Sequence, residues 1–427
     1  MTTVTRPSGP SEPSGVPDQR PGGGVSGEAA PAGPVGPAAP VDVVCLGETM
    51  VAFVPSRPGP LAEVPSFHRA VGGAESNVAC ALARSGHSAR WISRVGADGF
   101  GDHVVATVAA AGVDTSAVRR DPHRPTGVYF RTAGERAATL DAGRRAGAAG
   151  EVVYYRAGSA ASAMSPELVP RSAAWSGRVL HLTGITAALS PTCRELLREL
   201  TGRAPGRPLL SFDLNHRPAL WRGLDPSWTA DLARACDLVF VGEDEARAAW
   251  GLPDADAVRA ALPEPAVLVV KQGEAGATVF ASPPPPTTPP TPGRPAGAAG
   301  AGAGTRLHVP APAVEVVAHV GAGDGFAAGF LSATLRGLPL RDRLRHGHLM
   351  AAAALTVPGD LAEPPSRARL DALAALDDAS WAALRLAPGW TAAGLTPGTV
   401  PGAAGTGAGS VAVAGPAAAD GRDGGAA

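Results

Sequence analysis

Short, continuously apolar runs recur along the chain, and this rhythm constrains the fold more than any other feature. They are "VDVVCLG" (41–47), "ARWISRVG" (89–96), "RVLHLTG" (178–184), "PLLSFDLN" (208–215), "DLVFVG" (237–242) and "AVLVVKQG" (266–273). Apolarity without alternation implies strands covered on both faces. Between the runs lie "AESNVACALARSG", "DHVVATVAAAGV", "SPTCRELLREL" and "EDEARAAWG", with helical apolar spacing or an Asp or Ser at the start. Strand and helix alternating in this way predict an α/β fold, a doubly wound, mostly parallel sheet with helices on both sides.

Three segments break the rhythm. "TMVAFVPS" (49–56), "TGVYFRT" (126–132) and "EVVYYRAGS" (151–159) are short strands, two of them setting aromatic residues beside an Arg. They are expected to pair into a small antiparallel sheet at one edge, with Tyr and Arg turned toward a ligand. Residues 1–40, 281–304 and 396–427 are dominated by Pro, Gly and Ala. Such stretches bury too little apolar surface to offset ordering entropy and are expected to be disordered. The internal one falls between two strand-like segments and reads as a lengthened hairpin loop, which costs only slowly growing closure entropy. One domain over 41–395 remains.

Composition removes several function classes. A net charge of −1 gives no broad basic face for nucleic acid or an anionic membrane. The pairs Arg119-Arg120 and Arg144-Arg145 read as solvated loop charges. Neither a signal-like apolar segment nor a run long enough to span a bilayer occurs, so a cytoplasmic protein is expected. The four cysteines, Cys45, Cys80, Cys193 and Cys236, lack paired spacing, which points to buried thiols rather than a disulfide framework or a metal site.

"GAGDGFAAGF" (321–330) is the strongest chemical signal. Gly321, Ala322 and Gly323 place backbone N–H groups at the positive start of an apolar helix, where phosphate binds. Asp324 in the first turn is either a charge complementing the helix dipole or a general base beside an anion hole, and the crowding of glycines favours the base. A Walker A loop is excluded, because the only lysine, Lys271, follows Val270 rather than Gly. No His-Arg-Asp loop of the eukaryotic kinase type is present. A second glycine site, "VGGAESNVACALA" (71–83), puts Gly73 and Asn77 at the start of the first long helix.

"VGGAESNVA", "RVGADGFG" (94–101) and "GAGDGFAAG", in this order and at these distances, resemble the ribokinase/PfkB carbohydrate kinases over about residues 42–380. The resemblance implies a ribokinase-like fold with a small β-sheet lid, its strands at about 49–70, 126–132 and 151–157. "YYRAGSAASAMSP", "LHLTGITAALS", "FDLNHRPALW" and "KQGEAG" are more specifically similar to kinases of 2-keto-3-deoxygluconate. That implies transfer of phosphate from ATP, with Mg²⁺, to the 6-hydroxyl of the sugar acid.

On this resemblance, Gly73, Asn77, Tyr129, Tyr154, Arg156, Arg217 and Asp360 would contact the sugar acid. Asp324 would take the hydroxyl proton. Asn215, Lys271, Gly273, Gly276, His348 and the amides of Gly321, Ala322 and Gly323 would address ATP. The chemistry agrees, since a guanidinium grips a carboxylate through two parallel bonds. The chain also departs from the family pattern, with Ala318 and His319 before the glycines, Gly242 where Asn or Ser is usual, His348 where Asn is usual, and a long loop at 133–150. The alternatives are a kinase of another sugar, fructose or a different sugar acid, and a catalytically inactive sensor of sugar acid or nucleotide. The partners expected are small molecules, with no nucleic acid or membrane, and a homo-oligomer is left open.

Overall fold

The computed structural model describes residues 40–57, 59–131, 152–282, 304–359 and 361–392. The low-complexity segments and the 133–150 loop therefore lie almost wholly outside the described residues, as does Asp360.

The chain opens on β1 (Val41–Leu46), then leaves the main sheet for β2 (Met50–Pro55) and β3 (Phe67–Gly72). The Ala74–Arg84 helix returns it to β4 (Ala89–Ile92). Two short strands, β5 (Arg94–Gly96) and β6 (Arg119–Asp121), flank the Gly99–Ala110 helix. Then come β7 (Val128–Arg131) and β8 (Val152–Tyr155), followed by β9 (Gly177–Thr183), β10 (Leu209–Asp213), β11 (Leu238–Gly242) and β12 (Val267–Lys271). An antiparallel hairpin, β13 (Ala277–Ala281) and β14 (Thr305–Val309), completes the edge.

The eight-stranded sheet runs β14-β13-β12-β11-β10-β9-β1-β4, with every pair from β12 to β4 parallel. Continuous apolarity has the expected cause. On β1, Val43 and Cys45 enter one core while Val44 and Leu46 enter the other, and on β12 Val269 opposes Leu268 and Val270 in the same way. The cysteines are all buried and unpaired, as the sequence suggested. Since β1 is followed by β4 on one side and β9 joins on the other, strand order reverses at β1. In open α/β sheets ligands bind at the carboxyl ends of strands at such a reversal.

The second sheet has order β3-β2-β7-β8 and differs from the expected antiparallel one, because β2 and β7 run parallel. The chain passes through β4 and two helices between these two strands, so β7 enters in the same direction as β2. One face carries Met50, Ala52, Tyr129 and Val152, and the other carries the packed rings of Phe53, Phe67, Phe130 and Tyr155. Arg119 and Arg120 stand on β6 rather than in a loop, Arg120 pairing with Asp102 at 2.9 Å.

Candidate active site

The carboxyl ends of β1, β9, β10, β11 and β12 place Glu48, Thr183, Asp213, Asn215, Gly242 and Lys271 along one edge of the main sheet. Facing them is the start of the Ala322–Leu335 helix, whose N-cap Gly321 has φ 75°. That left-handed turn suits glycine and frees the next amides to point outward. Gly323 is exposed at the helix tip, so a ligand can approach its backbone.

Asp324 lies between two amide side chains. Asn77 Nδ2 donates to Oδ2 at 2.8 Å and Asn215 Nδ2 donates to Oδ1 at 3.3 Å. Asn215 is the only non-glycine with positive φ among the described residues, at 42°, a strained conformation of the kind that clusters at functional sites. Burial raises the Asp324 carboxyl to about 7, the Asn77 bond opposes that rise, nearby Asp213 adds to it, and Arg217 and Lys271 counter it. A carboxylate poised near neutrality and oriented at both oxygens has the properties of a general base. The amide oxygens of Asn77 and Asn215 are buried without hydrogen-bond partners. Buried acceptors are rarely left so, and hydroxyl donors of a polyol would satisfy them.

Lys271 Nζ binds both Asp213 oxygens, at 2.8 and 3.0 Å. Asp213 and neighbouring Glu245 hold the ammonium charged against the cost of burial. A Cβ added to Gly323 would stand 3.6 Å from Nζ, which puts the ammonium next to the exposed helix tip. Gly273 (φ 59°) and Gly276 (φ 121°) form the following turn, and a Cβ on Gly276 would stand 2.3 Å from the Val309 carbonyl oxygen. The Gly276 requirement is thus met within the fold as well as by any ligand.

The remaining candidates divide into groups. Tyr129 and Tyr154 are directly paired on β7 and β8 with rings 5.5 Å apart, and the Arg156 guanidinium lies 5.5 Å over the Tyr154 ring. Gly73 is required by its surroundings, since a Cβ there would stand 2.5 Å from the Glu48 carbonyl oxygen and 2.6 Å from Thr49 Oγ1. Arg217 lies 3.6 Å from Glu245, and its charge reaches Asp324. His348 is buried, with Nε2 at 3.1 Å from the Val309 carbonyl and its ring against Phe326, and burial lowers it to about 4. Its packing is that of a neutral core imidazole.

Besides Asp213, three acidic residues escaped the sequence reading. Glu245 caps its own helix by accepting from Gly242 N at 3.0 Å, and burial raises its carboxyl despite Lys271 nearby. Glu75 is fully buried, accepting from Thr183 Oγ1 at 2.7 Å and Thr186 Oγ1 at 2.6 Å, with its carboxyl raised by burial to about 7. Glu48 pairs with Arg156 and accepts from Ser159 Oγ at 2.6 Å. Glu75 and Glu245 lie inside stretches that were legible for other residues, "GGAES" and "VGEDE", and Glu48 falls between the runs at 41–47 and 49–56.

Comparison with known proteins follows this geometry. The pfkB family carbohydrate kinase profile matches residues 41–367. The chain is 32% identical over 337 residues to the 2-dehydro-3-deoxygluconokinase of Bacillus subtilis, covering 77% of this chain and 94% of that protein. It is 29% identical over 334 residues to the probable chloroplastic fructokinase-6 of Arabidopsis thaliana, covering 74% and 77%. Among solved structures, the PfkB protein of Polaromonas sp. JS666 superposes with a TM-score of 0.60 at 32% identity, over 78% of this chain and 99% of that one. With its mostly parallel sheet, its second small sheet and a profile spanning the main sheet and the Asp324 helix, the chain belongs to the pfkB family of carbohydrate kinases.

Proposed function

We propose that this sugar kinase transfers the γ-phosphate of ATP to the 6-hydroxyl of 2-keto-3-deoxygluconate. The observation that carries the reading is Asp324, held at both oxygens beside the exposed amides of a helix start, with an Arg156–tyrosine group on the second sheet. Asp324 accepts the proton of the attacking hydroxyl. The first-turn amides and Lys271 oppose charge on the moving phosphoryl, the usual division of labour in phosphoryl transfer. Arg156 supplies the cation that a sugar carboxylate needs and a neutral ketose does not.

Mg²⁺ bound with the nucleotide would neutralise phosphate charge, and such ions take one or two carboxylates plus phosphate oxygens. Glu245 fits that part, since one of its oxygens makes only a 3.6 Å ion pair with Arg217 while the other accepts from Gly242 N, whereas both oxygens of Asp213 are bound by Lys271. Lys271 offers a compact ammonium in a confined place. Lys271→Arg is therefore expected to raise KM for ATP more than KM for the sugar acid, because the wider planar guanidinium paired with Asp213 would crowd the helix tip at Gly323. Equal effects on the two KM values, or none, would remove Lys271 from the nucleotide side.

The substrate is tested by ADP release with a panel of 2-keto-3-deoxygluconate, 2-keto-3-deoxygalactonate, fructose and ribose, on wild type and Arg156→Ala. Wild type is expected to prefer the acids, and the variant to lose about 10- to 100-fold in kcat/KM on acids alone. Efficient turnover of fructose with none of either acid would overturn the assignment.

A further inference from the structure

We infer that Glu48 is a positioning residue that presents Arg156 to the substrate's acid group. The inference rests on the sugar-acid reading above. Glu48 follows β1, at the point where the chain leaves the main sheet for the second one, and is 2% exposed. Three residues from two segments converge on it. Arg156 beyond β8 forms an ion pair with it, Ser159 Oγ donates to Oε1 at 2.6 Å, and a Cβ on Gly127 just before β7 would stand 3.1 Å from the same oxygen. Its own carbonyl oxygen is what a side chain on Gly73 would strike.

A cation as enclosed as Arg156, whose side chain is 10% exposed, is costly without a counter-charge when no substrate is present. Glu48 supplies that charge and, held by Ser159, fixes which edge of the guanidinium is used. Arg156 Nη2 faces Glu48, while Nε, on the same edge of the guanidinium as Nη2, is buried with no hydrogen-bond partner. A guanidinium carries five N–H donors in one plane and can serve two acceptors on different edges. Glu48 thus engages Nη2 without satisfying Nε, which leaves a donor beside the ion pair for a further acceptor oxygen, and the Tyr154 ring supports the same guanidinium from its face. The charge of Arg156 also reaches Glu75, two residues before Asn77, which binds the base. Arg156 thus belongs to the interior of the site and not only to the rim of the second sheet.

If Glu48 acts through Arg156, removing its charge must weaken recognition of the acid only while Arg156 is present. The experiment is a double-mutant cycle of Glu48→Gln and Arg156→Ala in the full chain, reading kcat and both KM values with 2-keto-3-deoxygluconate and ATP. In the wild-type background Glu48→Gln is expected to raise KM for the sugar acid about tenfold, with KM for ATP changed by less than about twofold. In the Arg156→Ala background the same change should alter KM for the sugar acid by less than about twofold. A purely structural staple would give the same factor in both backgrounds or none in the first, and either result overturns the inference. Should Glu48→Gln not fold, Ser159→Ala, which removes one hydroxyl, enters the cycle in its place with a smaller expected rise judged by the same rule. A wild type that phosphorylates no sugar acid removes the substrate reading and this inference together. A wild type that does so, with an additive cycle, removes the inference alone.

Discussion

Asp324→Asn is expected to lower kcat by about 10²- to 10⁴-fold, the range for losing a general base. The substitution keeps the size of the side chain but replaces the proton acceptor, and one of its new N–H donors must face the donor of Asn77 or Asn215. Since burial raises the wild-type carboxyl to about 7, kcat/KM should fall tenfold per pH unit once pH drops below that value. The same shift has a consequence for stability with the opposite sign to an ordinary carboxylate. The folded protein holds this proton more tightly than the unfolded chain, whose value is near 3.8. Its stabilising contribution is complete below about pH 4 and is lost as pH rises through about 7. Asp324→Asn should therefore be more stable than wild type at pH 8, by on the order of 1–3 kcal/mol, with the difference vanishing near pH 4. Glu75, shifted in the same direction, is retained in both proteins and cancels from the comparison. A rate within about threefold of wild type, or a flat pH profile from about 5.5 to 8, would exclude Asp324 as the base.

Residues of the site that the sequence made legible are those whose type is unusual for their local setting. An Asp among glycines at a helix start, a single lysine at a strand end, and paired tyrosines beside an arginine all stand out without a partner being known. The strands of the main sheet were legible because both faces are buried, so apolarity is continuous and runs end where the chain turns. The buried glutamates were not. Glu48, Glu75 and Glu245 occupy positions where an exposed helix-start or loop carboxylate would look the same; the partners of Glu48 and Glu75 are about 100 residues away, and Glu245 pairs with Arg217 beyond another strand. The parallel pairing of β2 and β7 was hidden for a related reason. Its direction is set by the intervening β4 and helices, and nothing within either strand encodes it.

The glycines of "GAGDGFAAGF" show a different limit. Crowded glycine was read as room for a ligand; Gly323 is exposed at the helix tip and Gly321 takes the left-handed turn before it. Gly325 and Gly329 serve another purpose. They are one helical turn apart and meet the Leu340–Leu355 helix, where added Cβ atoms would stand 2.8 Å from the Met350 carbonyl oxygen and 2.3 Å from the His346 carbonyl oxygen. Gly347 reciprocates, its absent Cβ making room for the Phe326 ring at 2.9 Å. Missing side chains let the two helices approach backbone to backbone, and this contact fixes the angle at which the helix start offers its amides and Asp324.

Gly329→Ala separates packing from ligand approach, because no ligand reaches a buried position two turns into the helix. Alanine improves intrinsic helix propensity by about 1 kcal/mol, yet its methyl lies where only backbone can yield, and overpacking of this kind costs about 1–3 kcal/mol or more. The expected result is a Tm lowered by a few degrees. A loss of up to about 10²-fold in kcat should accompany it, as the base moves off its line to the acceptor hydroxyl. Gly99→Ala, at a helix start where an added Cβ meets nothing within 4 Å, should leave both quantities unchanged. If Gly329→Ala is instead as stable and as active as wild type, the close helix crossing does not hold the base in place, and the motif's glycines revert to ligand approach alone.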